Sequence, residues 1–290
     1  MDVTKCEAFL AAIDRGSLTA AAEKLGYTQS GVTRMVNSLE EELGFPLFVR
    51  SKKGVILTEN GKTMVPAFRS IVSAYHNASQ VSSDIRGMVN GSLTIGSYFS
   101  ISAVLMPTIL KNFKERYPGI RIDLHEGGNR EMTKWLNEKS VDCCLCAKPA
   151  EDTDCDWIPL FRDELVVWLP KNHSKVRSKK FPIRDLEKYP FIITSPNHDT
   201  DQDRLLASEH IHPDIYLATR DGYSTYNMVA EGLGISFNQR LISRKWDKSV
   251  VELPFDPPQY VYLGMAVPLL REVSPATNKF IECVKKTILH

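Results

Sequence analysis

Apolar residues near the start of the chain recur at helical spacing. Intervals of three and four residues place on one stripe the side chains of Cys6, Phe9, Leu10 and Ile13. Such a stripe predicts a helix that rests on a core. Residues 17–25 predict a second, shorter helix, Gly26 allows a tight turn after it, and Thr28 stands where an N-cap would open a third. The pattern is that of a helix-turn-helix pair behind a supporting helix.

The third predicted helix, residues 29–43, has two different faces. Its core stripe consists of Val32, Val36, Leu39 and Leu43. The opposite face presents the side chains of Ser30, Thr33, Arg34 and Asn37, with Gln29 at its flank. Hydroxyl, guanidinium and amide groups of this kind hydrogen-bond to base edges and phosphates in a major groove. A solvated helix face is the alternative interpretation, and the residues that follow favour DNA.

Two short β-prone runs within residues 47–58 flank a polar turn that contains Gly54. They predict a β-hairpin, or wing. The cations at or near its tip are Arg50, Lys52 and Lys53. Directly behind a helix-turn-helix we expect these cations to contact phosphate, which fixes the orientation of a protein on DNA without reading sequence.

A long helix is predicted from Glu59 to about Ile85, with Thr58 as its N-cap. Steps of four and three residues connect Met64, Phe68, Ile71, Tyr75, Ala78, Ser82 and Ile85. This spacing is typical of a coiled-coil seam and predicts dimerisation, although it also describes a helix packed on its own chain. Pro66 is expected to kink or loosen the helix. Residues 86–91, with two glycines, predict a hinge after it.

Beyond residue 91, predicted strands and helices alternate, which indicates α/β lobes with mainly parallel sheets. The first lobe is predicted to contain strands 93–97, 120–125 and 141–147 and helices 102–117 and 129–139. The second is predicted to contain strands 165–169, 191–194, 215–219 and 235–237 and a helix at 225–232. Strand 260–267 is expected to cross back, so that helix 275–288 packs on the first lobe. The predicted domains are 1–58, 59–87 and 91–290, the last divided into lobe I (about 91–161 and 268–290) and lobe II (about 162–267).

Composition sets limits and does not name a function. A chain of 290 residues, 43% of them hydrophobic, can build about two domains. It has no run approaching the ~20 apolar residues of a membrane span and no basic-then-apolar start, so we expect a cytoplasmic protein with no membrane partner. The formal net charge is only +1. An interaction with nucleic acid therefore depends on local segregation, with Glu40, Glu41 and Glu42 at the end of the third helix and cations elsewhere.

A dense stretch at residues 16–61 resembles the LysR-type transcriptional regulators, and it reads GSLTAAAEKLGYTQSGVTRMVNSLEEELGFPLFVRSKKGVILTENG. Weaker similarity continues through GSLTIGSY, ERYPGIRIDLHEG and VAEGLGISF, so the resemblance covers nearly the whole chain. It implies an α/β protein with an N-terminal winged helix-turn-helix, a dimerising linker helix and a two-lobed effector domain similar to type 2 periplasmic binding proteins. The DNA-contacting positions that it implies are Thr28, Gln29, Ser30, Thr33, Arg34, Arg50, Lys52 and Lys53. Gly31 and Met35 depart from the family pattern, which bears on base preference and not on the DNA-binding role.

The resemblance also implies partners. These are double-stranded operator DNA, further copies of the chain in a homodimer or homotetramer, a small-molecule effector, and RNA polymerase as a candidate. We expect the effector to be an anionic metabolite such as a carboxylate, because helix N-termini favour negative charge. No cofactor is expected.

In open α/β sheets, ligands bind beyond the carboxyl ends of strands, where helix N-termini offer free amides. That rule selects as candidate effector-binding residues Ser97, Tyr98, Phe99, Ser100, Ser102, Gly128, Asn129, Ala147, Lys148, Thr194, Ser195, Asn197, His198, Tyr223, Ser224, Asn238 and Gln239. The family resemblance supports the positions around Ser100, Ser102 and Thr194. A single hydroxyl at such a place is more often a helix cap than a ligand contact, and convergence on one cleft is what favours binding.

Three cysteines, Cys143, Cys144 and Cys146, stand together in the sequence CCLC. The local pattern places them on a core strand, and no second pair has zinc-finger spacing, so buried inert thiols are the favoured interpretation. Redox or metal sensing through these three residues is the alternative. No metal site is predicted.

Catalysis is not expected from this sequence. Ser195, His198 and Asp199 lie too close together in one loop to aim at one another as a triad. The sequence also shows no phosphate-binding glycine motif and no nucleophile elbow.

Overall fold

The computed structural model describes residues 1–51, 54–86, 90–268 and 273–289. They form a helical head with a β-hairpin, one long helix, and two α/β lobes. Parts of two sequence predictions lie outside the described residues: Lys52 and Lys53 at the expected wing tip, and residues 87–89 in the expected hinge. The side chain of Arg50 lies outside the described part as well.

The head contains α1 (Val3–Arg15), α2 (Leu18–Leu25) and α3 (Gln29–Leu43). Each helix begins at a side chain that accepts a hydrogen bond from a first-turn amide and ends at a glycine with positive φ. Such caps satisfy amides that the first turn leaves free, and glycine adopts the left-handed conformation at little cost. Helix α3 has the bounds that the sequence predicts, and α2 with α3 forms the helix-turn-helix.

The wing packs on the head through its first strand. Strands β1 (Phe48–Ser51) and β2 (Gly54–Leu57) pair in antiparallel register, as the hairpin pattern predicts. The ring of Phe48 lies 4.9 Å from that of Phe9, at the centre of the head core. The carboxylate of Glu40 accepts hydrogen bonds from the amides of Leu47 (2.6 Å) and Phe48 (3.0 Å) and so fixes where the wing begins.

The linker helix α4 (Glu59–Ile85) has the predicted bounds and continues through Pro66. Its predicted seam divides into two halves. Phe68 is fully buried in the head core, 5.3 Å from the ring of Phe9, and Met64 and Ile71 pack on the same core. The prediction of an intermolecular seam is therefore wrong for this half, because three-and-four spacing serves an intrachain core equally well.

Lobe I is built from β3 (Gly91–Ser97), α5 (Phe99–Val104), α6 (Met106–Arg116), β4 (Ile120–Glu126), α7 (Asn129–Asn137), β5 (Cys143–Ala147) and α10 (Pro275–Ile288). Strand β3 pairs in parallel with β4 and with β5. The single helix predicted at 102–117 is two helices, because Pro107 in the first turn of α6 cannot donate the hydrogen bond that would continue α5.

Lobe II contains β7 (Phe181–Pro182), the 3-10 turn Ile183–Lys188, β8 (Phe191–Thr194), α8 (Asp201–Ser208), β9 (Ile215–Thr219), α9 (Gly222–Ala230), β10 (Ser236–Gln239) and β11 (Val250–Asp256). Strands β10 and β11 both pair with β6 (Asp156–Pro170), and β8 pairs in parallel with β9. The sequence did not predict α8, β11 or the first half of β6.

Two long strands cross between the lobes. Residues 156–164 of strand β6 pair with β12 (Tyr260–Val267), and the sheet runs in the order β4-β3-β5-β12-β6-β11-β7. Leu263 and residues 265–267 belong to the core of lobe I. The chain therefore returns to lobe I within β12, whereas the sequence placed that boundary at about residue 268.

Candidate DNA-reading surface and interlobe cleft

The outer face of α3 is exposed at the positions that the sequence selects. Thr28, Gln29, Ser30 and Arg34 are exposed, and Thr33 is half-buried. Thr28 also caps the helix, since its hydroxyl accepts a hydrogen bond from the amide of Gly31 at 3.1 Å. The Gln29 side-chain amide lies 3.5 Å from the Thr33 hydroxyl. One continuous polar face is thus held by a rigid, capped helix, as groove reading requires.

The acidic end of α3 is engaged within the head. Glu40 holds the start of β1, and Glu42 forms ion pairs with Lys5 and with the N-terminal amine. Hydrogen bonds from these two donors hold the pKa of the Glu42 carboxyl below its usual range. These carboxylates therefore serve the head's own structure, away from the face that carries Arg34.

The wing is tied to the turn between α1 and α2. The amide of Val55 donates to the carbonyl oxygen of Gly16 at 3.3 Å, and Gly54 has φ +119°. A Cβ atom at Gly54 would lie 2.4 Å from that same oxygen, which only glycine avoids. The wing is thereby positioned beside the helix-turn-helix.

A cleft of about 850 Å³ opens between the two lobes. The sequence-selected residues that line it are Tyr98, Phe99, Ser100, Ser102, Gly128, Asn129, Thr194, Ser195, His198, Tyr223, Asn238 and Gln239. They come from the ends of five strands, β3 and β4 in lobe I and β8, β9 and β10 in lobe II, and this convergence favours a binding site over isolated caps.

Five of the sequence-selected residues do not line the cleft: Ser97, Ala147, Lys148, Asn197 and Ser224. Ser97 is fully buried, and its hydroxyl donates to the Tyr98 carbonyl at 3.3 Å. The Ser224 hydroxyl and amide both donate to the Asp221 carboxylate at 2.8 Å, so this residue belongs to a helix cap. Lys148 is exposed outside the cleft, with its amide bonded to β12, and Asn197 is exposed in a loop with φ +62°.

Further lining residues were not selected from the sequence: Ala103, Glu126, Gly127, Glu131, Thr200, Asp201, Gln202, Arg220, Asp221, Gly222, Ile242 and Trp246. Several stand at helix starts. Thr200 and Asp203 form the capping box of α8, and Asp221 caps α9. The pattern T-x-x-D at 200–203 would have predicted α8 and with it this wall of the cleft. Trp246 reaches the cleft through tertiary packing, for which the local sequence has no pattern.

Hydrogen bonds connect the lobes across the cleft. The Ser100 hydroxyl in lobe I donates to the Gln239 side-chain oxygen at 2.8 Å, and the Gln239 amide donates to the Asp201 carboxylate at 2.5 Å. The side-chain amide of Asn129 donates to the carbonyl of Asp199. Burial raises the pKa of the Asp201 carboxyl, although the hydrogen bond from Gln239 opposes this.

Two hydroxyl groups in the cleft wall make no hydrogen bond with any residue in the described ranges. They belong to Tyr98, a residue only 7% exposed, and to Ser102. Burial, followed by the negative charge of Asp201, raises the pKa of the Tyr98 phenol well above its usual range, so the group is neutral. Unsatisfied buried hydroxyls cost about 1–3 kcal/mol each, and a bound polar ligand would relieve that cost.

The cysteine cluster is part of the lobe I core. Cys143, Cys144 and Cys146 are all at most 1% exposed within β5. Burial raises the pKa of each of the three thiols well above its usual range, which suppresses the reactive thiolate. Among the described residues no cluster of three or more metal-ligating side chains is found, and no helix there is long and apolar enough to cross a membrane.

Comparison with known families identifies both parts of the chain. Residues 3–62 match the bacterial regulatory helix-turn-helix protein, lysR family, and residues 86–288 match the LysR substrate binding domain. This protein belongs to the LysR family of DNA-binding transcriptional regulators, and its resemblance to that family is confirmed.

Individual relatives agree over nearly the full length. The HTH-type transcriptional regulator YvbU of Bacillus subtilis is 28% identical over 99% of this chain and 98% of its own. The malonate utilization transcriptional regulator of Klebsiella pneumoniae is 24% identical over 85% of this chain and 82% of its own. Full-length OxyR C199D from Pseudomonas aeruginosa shares the fold with a TM-score of 0.79 at 21% identity, covering 99% of this chain and 94% of that one.

Proposed function

We propose that this regulator reads operator DNA with the exposed face of α3 and the wing, and that a small molecule bound between the lobes controls it. The observation that supports this most directly is the cleft itself: polar residues from both lobes converge on it, and two of their hydroxyls have no partner among the described residues. A ligand that bonds to both lobes stabilises one interlobe arrangement over others, and this difference in affinity is what a switch requires.

Arg34 is the residue with which we test DNA reading. If it pairs with a base, Arg34→Ala should reduce discrimination between operator and mutated operator by about 1–3 kcal/mol. Footprinting on promoter fragments next to the gene would locate an operator, and fluorescence anisotropy would then measure affinity. Lys111→Ala is the control, because it removes an exposed cation from α6, outside the head. Unchanged discrimination after Arg34→Ala would remove this residue from the reading surface.

Ser102 tests the cleft. Metabolites of neighbouring genes can be screened by thermal shift, because a ligand of the folded state raises its stability. Ser102→Trp should fill the cleft and abolish binding of any hit, while Ser102→Ala should weaken it by about tenfold if the hydroxyl bonds a charged group. A hit that binds equally to Ser102→Trp would show that the effector site lies elsewhere.

The assembly and its location in the cell are further proposals. The exposed half of the α4 seam supports a homodimer through this helix, and two such dimers would form a homotetramer. A crystal structure of full-length CbnR, which shares this fold, is described as a complex with its target DNA. DNA as the target requires a cytoplasmic protein, and RNA polymerase is a candidate partner at the promoter. The buried thiols of β5 do not favour redox sensing.

A further inference from the structure

Carboxylates of this chain accept hydrogen bonds from backbone amides at the starts of three helices beside the cleft, α7, α8 and α9, whereas α5 follows Tyr98 without a side-chain cap. The Glu131 carboxylate accepts from the amide of Gly128 at the start of α7, at 3.0 Å. Asp203 accepts from the amide of Thr200 at the start of α8, also at 3.0 Å. Asp221 accepts from the amide of Ser224 in α9 at 2.8 Å. An incoming anion would therefore meet a carboxylate at each of these three helix starts.

The charged side chains that line the cleft also favour a cation over an anion. Its described members include four carboxylates and one guanidinium, and no lysine. The carboxylates are Glu126, Glu131, Asp201 and Asp221, and the guanidinium is that of Arg220. Burial raises the pKa of Asp221, but hydrogen bonds from Ser224 and the amide of Tyr223 outweigh it, and the net result is a lowered pKa. The cleft therefore has an excess of negative charge, which attracts cations.

A further cation beside the cleft wall, Arg204, is paired with a carboxylate of its own. Arg204 donates two hydrogen bonds to the Asp199 carboxylate, from Nε to Oδ1 at 2.7 Å and from Nη2 to Oδ2 at 2.6 Å. This two-bond geometry is that of a bidentate ion pair, in which the charge of the guanidinium is paired with that of the carboxylate. The positive charge of Arg204 acts on the wall formed by Asp201 and Tyr98, but its partner Asp199 opposes that effect at Asp201.

An aromatic surface adjoins the carboxylates. Tyr223 packs edge-on against Trp246 with ring centroids 5.1 Å apart, and Tyr223 and Phe99 remain 50% and 57% exposed. Aromatic faces attract cations as well as apolar groups. The buried hydroxyl of Tyr98, without a partner among the described residues, is an independent sign that a polar group of a ligand completes this wall.

Resting on the proposed effector role of the cleft, we infer that its ligand is an organic cation, an ammonium group on an aromatic or other apolar body. The ammonium lies among the carboxylates of Glu126, Asp201 and Asp221, and the apolar body lies against Phe99 and Tyr223. This differs from the anionic metabolite that helix N-termini alone predict from the sequence, because in the folded protein carboxylates occupy the starts of α7, α8 and α9 and the side chains that line the cleft carry an excess of negative charge.

Three probes with the same ring separate charge from shape. They are 2-phenylethylamine, 2-phenylethanol and 3-phenylpropionate, which present a cation, a neutral group and an anion. Calorimetric titration of the full chain should show the amine binding at least tenfold more tightly than the alcohol, and no binding of the carboxylate. The amine should also lose affinity as salt concentration rises.

Charge-removing variants test the site. Glu126→Gln with Asp221→Asn removes two carboxylates, and asparagine retains the cap of α9. Affinity for 2-phenylethylamine should fall about tenfold or more, while the melting temperature without ligand stays near that of the wild type. The control is Glu115→Gln with Asp152→Asn, which removes two exposed carboxylates outside the cleft and should leave the affinity unchanged.

The outcomes separate the inference from the proposed function. Carboxylate or alcohol binding as tight as that of the amine, abolished by Ser102→Trp, would overturn the cationic ligand and retain the cleft as the effector site. Amine binding that survives Ser102→Trp would overturn both. Absence of amine binding at millimolar concentration would overturn the inference, as would an effector identified by metabolite screening that binds in the cleft and has no cationic group.

Discussion

At the scale of single residues, Gly61 lies tightly against the backbone of Leu47 in the head. A Cβ atom at Gly61 would lie 2.3 Å from the Leu47 carbonyl oxygen. That oxygen cannot easily move, because it accepts a hydrogen bond from the amide of Thr58 at 3.0 Å. Glycine at this position therefore allows the linker helix to begin directly against the segment that leads into the wing.

We predict that Gly61→Ala destabilises the protein by about 1–3 kcal/mol, as overpacking does. The direction of the change in stability is informative, because replacing glycine by alanine within a helix normally stabilises a protein by up to about 1 kcal/mol. Gly31→Ala is the control: it lies in the first turn of α3, and its Cβ would meet only the Thr28 hydroxyl, at 3.1 Å. Urea unfolding measures the free energy of unfolding of both variants. If Gly61→Ala loses no more stability than Gly31→Ala, the Leu47 backbone moves to accommodate the added methyl group and the prediction is wrong.

The candidate cleft shows how much single residues reveal before folding is known. Ser100 and Ser102 were accessible to prediction, because the end of a strand in an α/β lobe is a general ligand position. Ser224 fits the same rule and is a cap, since a hydroxyl bonds whichever partner is nearest. Trp246 escaped prediction because only the fold brings it beside Tyr223. The net charge of the cleft depends on which side chains the fold brings together, so the positions of the strand ends in the sequence could not predict its sign.

At the scale of elements, helix α4 divides between two kinds of contact. Its first half packs on the head through Phe68, whereas Tyr75 and Ile85 farther along are 55% and 82% exposed. Ala78 and Ser82 complete the exposed stripe. An exposed apolar stripe at coiled-coil spacing gains stability from burial against a second copy. The dimer surface is thus expected on the second half of the helix.

We predict that Tyr75→Glu with Ile85→Glu weakens self-association, because it places like charges on the stripe where two copies meet. Sedimentation velocity should show a shift toward monomer while circular dichroism stays unchanged. The control is Ser73→Glu with Ser83→Glu, which adds the same charge to the same helix outside the stripe. Phe68→Glu should instead unfold the head, because it buries a charge in the core.

An assembly unchanged by the Tyr75 and Ile85 substitutions would place the dimer contact elsewhere. Equal disruption by the control pair would show that charge on the helix, rather than the stripe, is responsible.

Elements with strong periodicity or clear boundaries were predictable, and α3, α4, β8, β9, β12 and α10 have the expected bounds. Strand β11 was not predicted because Pro254 interrupts the run Val250–Asp256, and proline is a poor residue within a strand. It exists because its backbone pairs with β6 on one side and β7 on the other. Pairing of this kind is tertiary, so the local pattern could not supply it.

At the scale of the whole molecule, the linker helix is bonded to the effector domain through one buried side chain. Gln80 is 8% exposed, and its amide donates to the carbonyl of Ser92 at the start of β3, at 3.3 Å. Its oxygen accepts from the amide of Ala276 at the start of α10, also at 3.3 Å. Nearby, Lys279 pairs with Asp84 at 2.6 Å. A change in lobe I can thus reach the helix that carries the head.

We predict that Gln80→Leu loosens this connection, because it leaves the Ser92 carbonyl and the Ala276 amide without their partner at a cost of about 1–3 kcal/mol. Hydrogen exchange should accelerate in the second half of α4 and at the starts of β3 and α10, and remain unchanged in α1 to α3. Ser79→Leu is the control, because it makes a neighbouring exposed residue apolar and touches neither bond. In calorimetric scans, the unfolding transitions of head and effector domain should separate further in Gln80→Leu than in the wild type. Exchange rates equal to those of the control would show that the Lys279–Asp84 pair is sufficient to connect the two halves, and that Gln80 does not couple them.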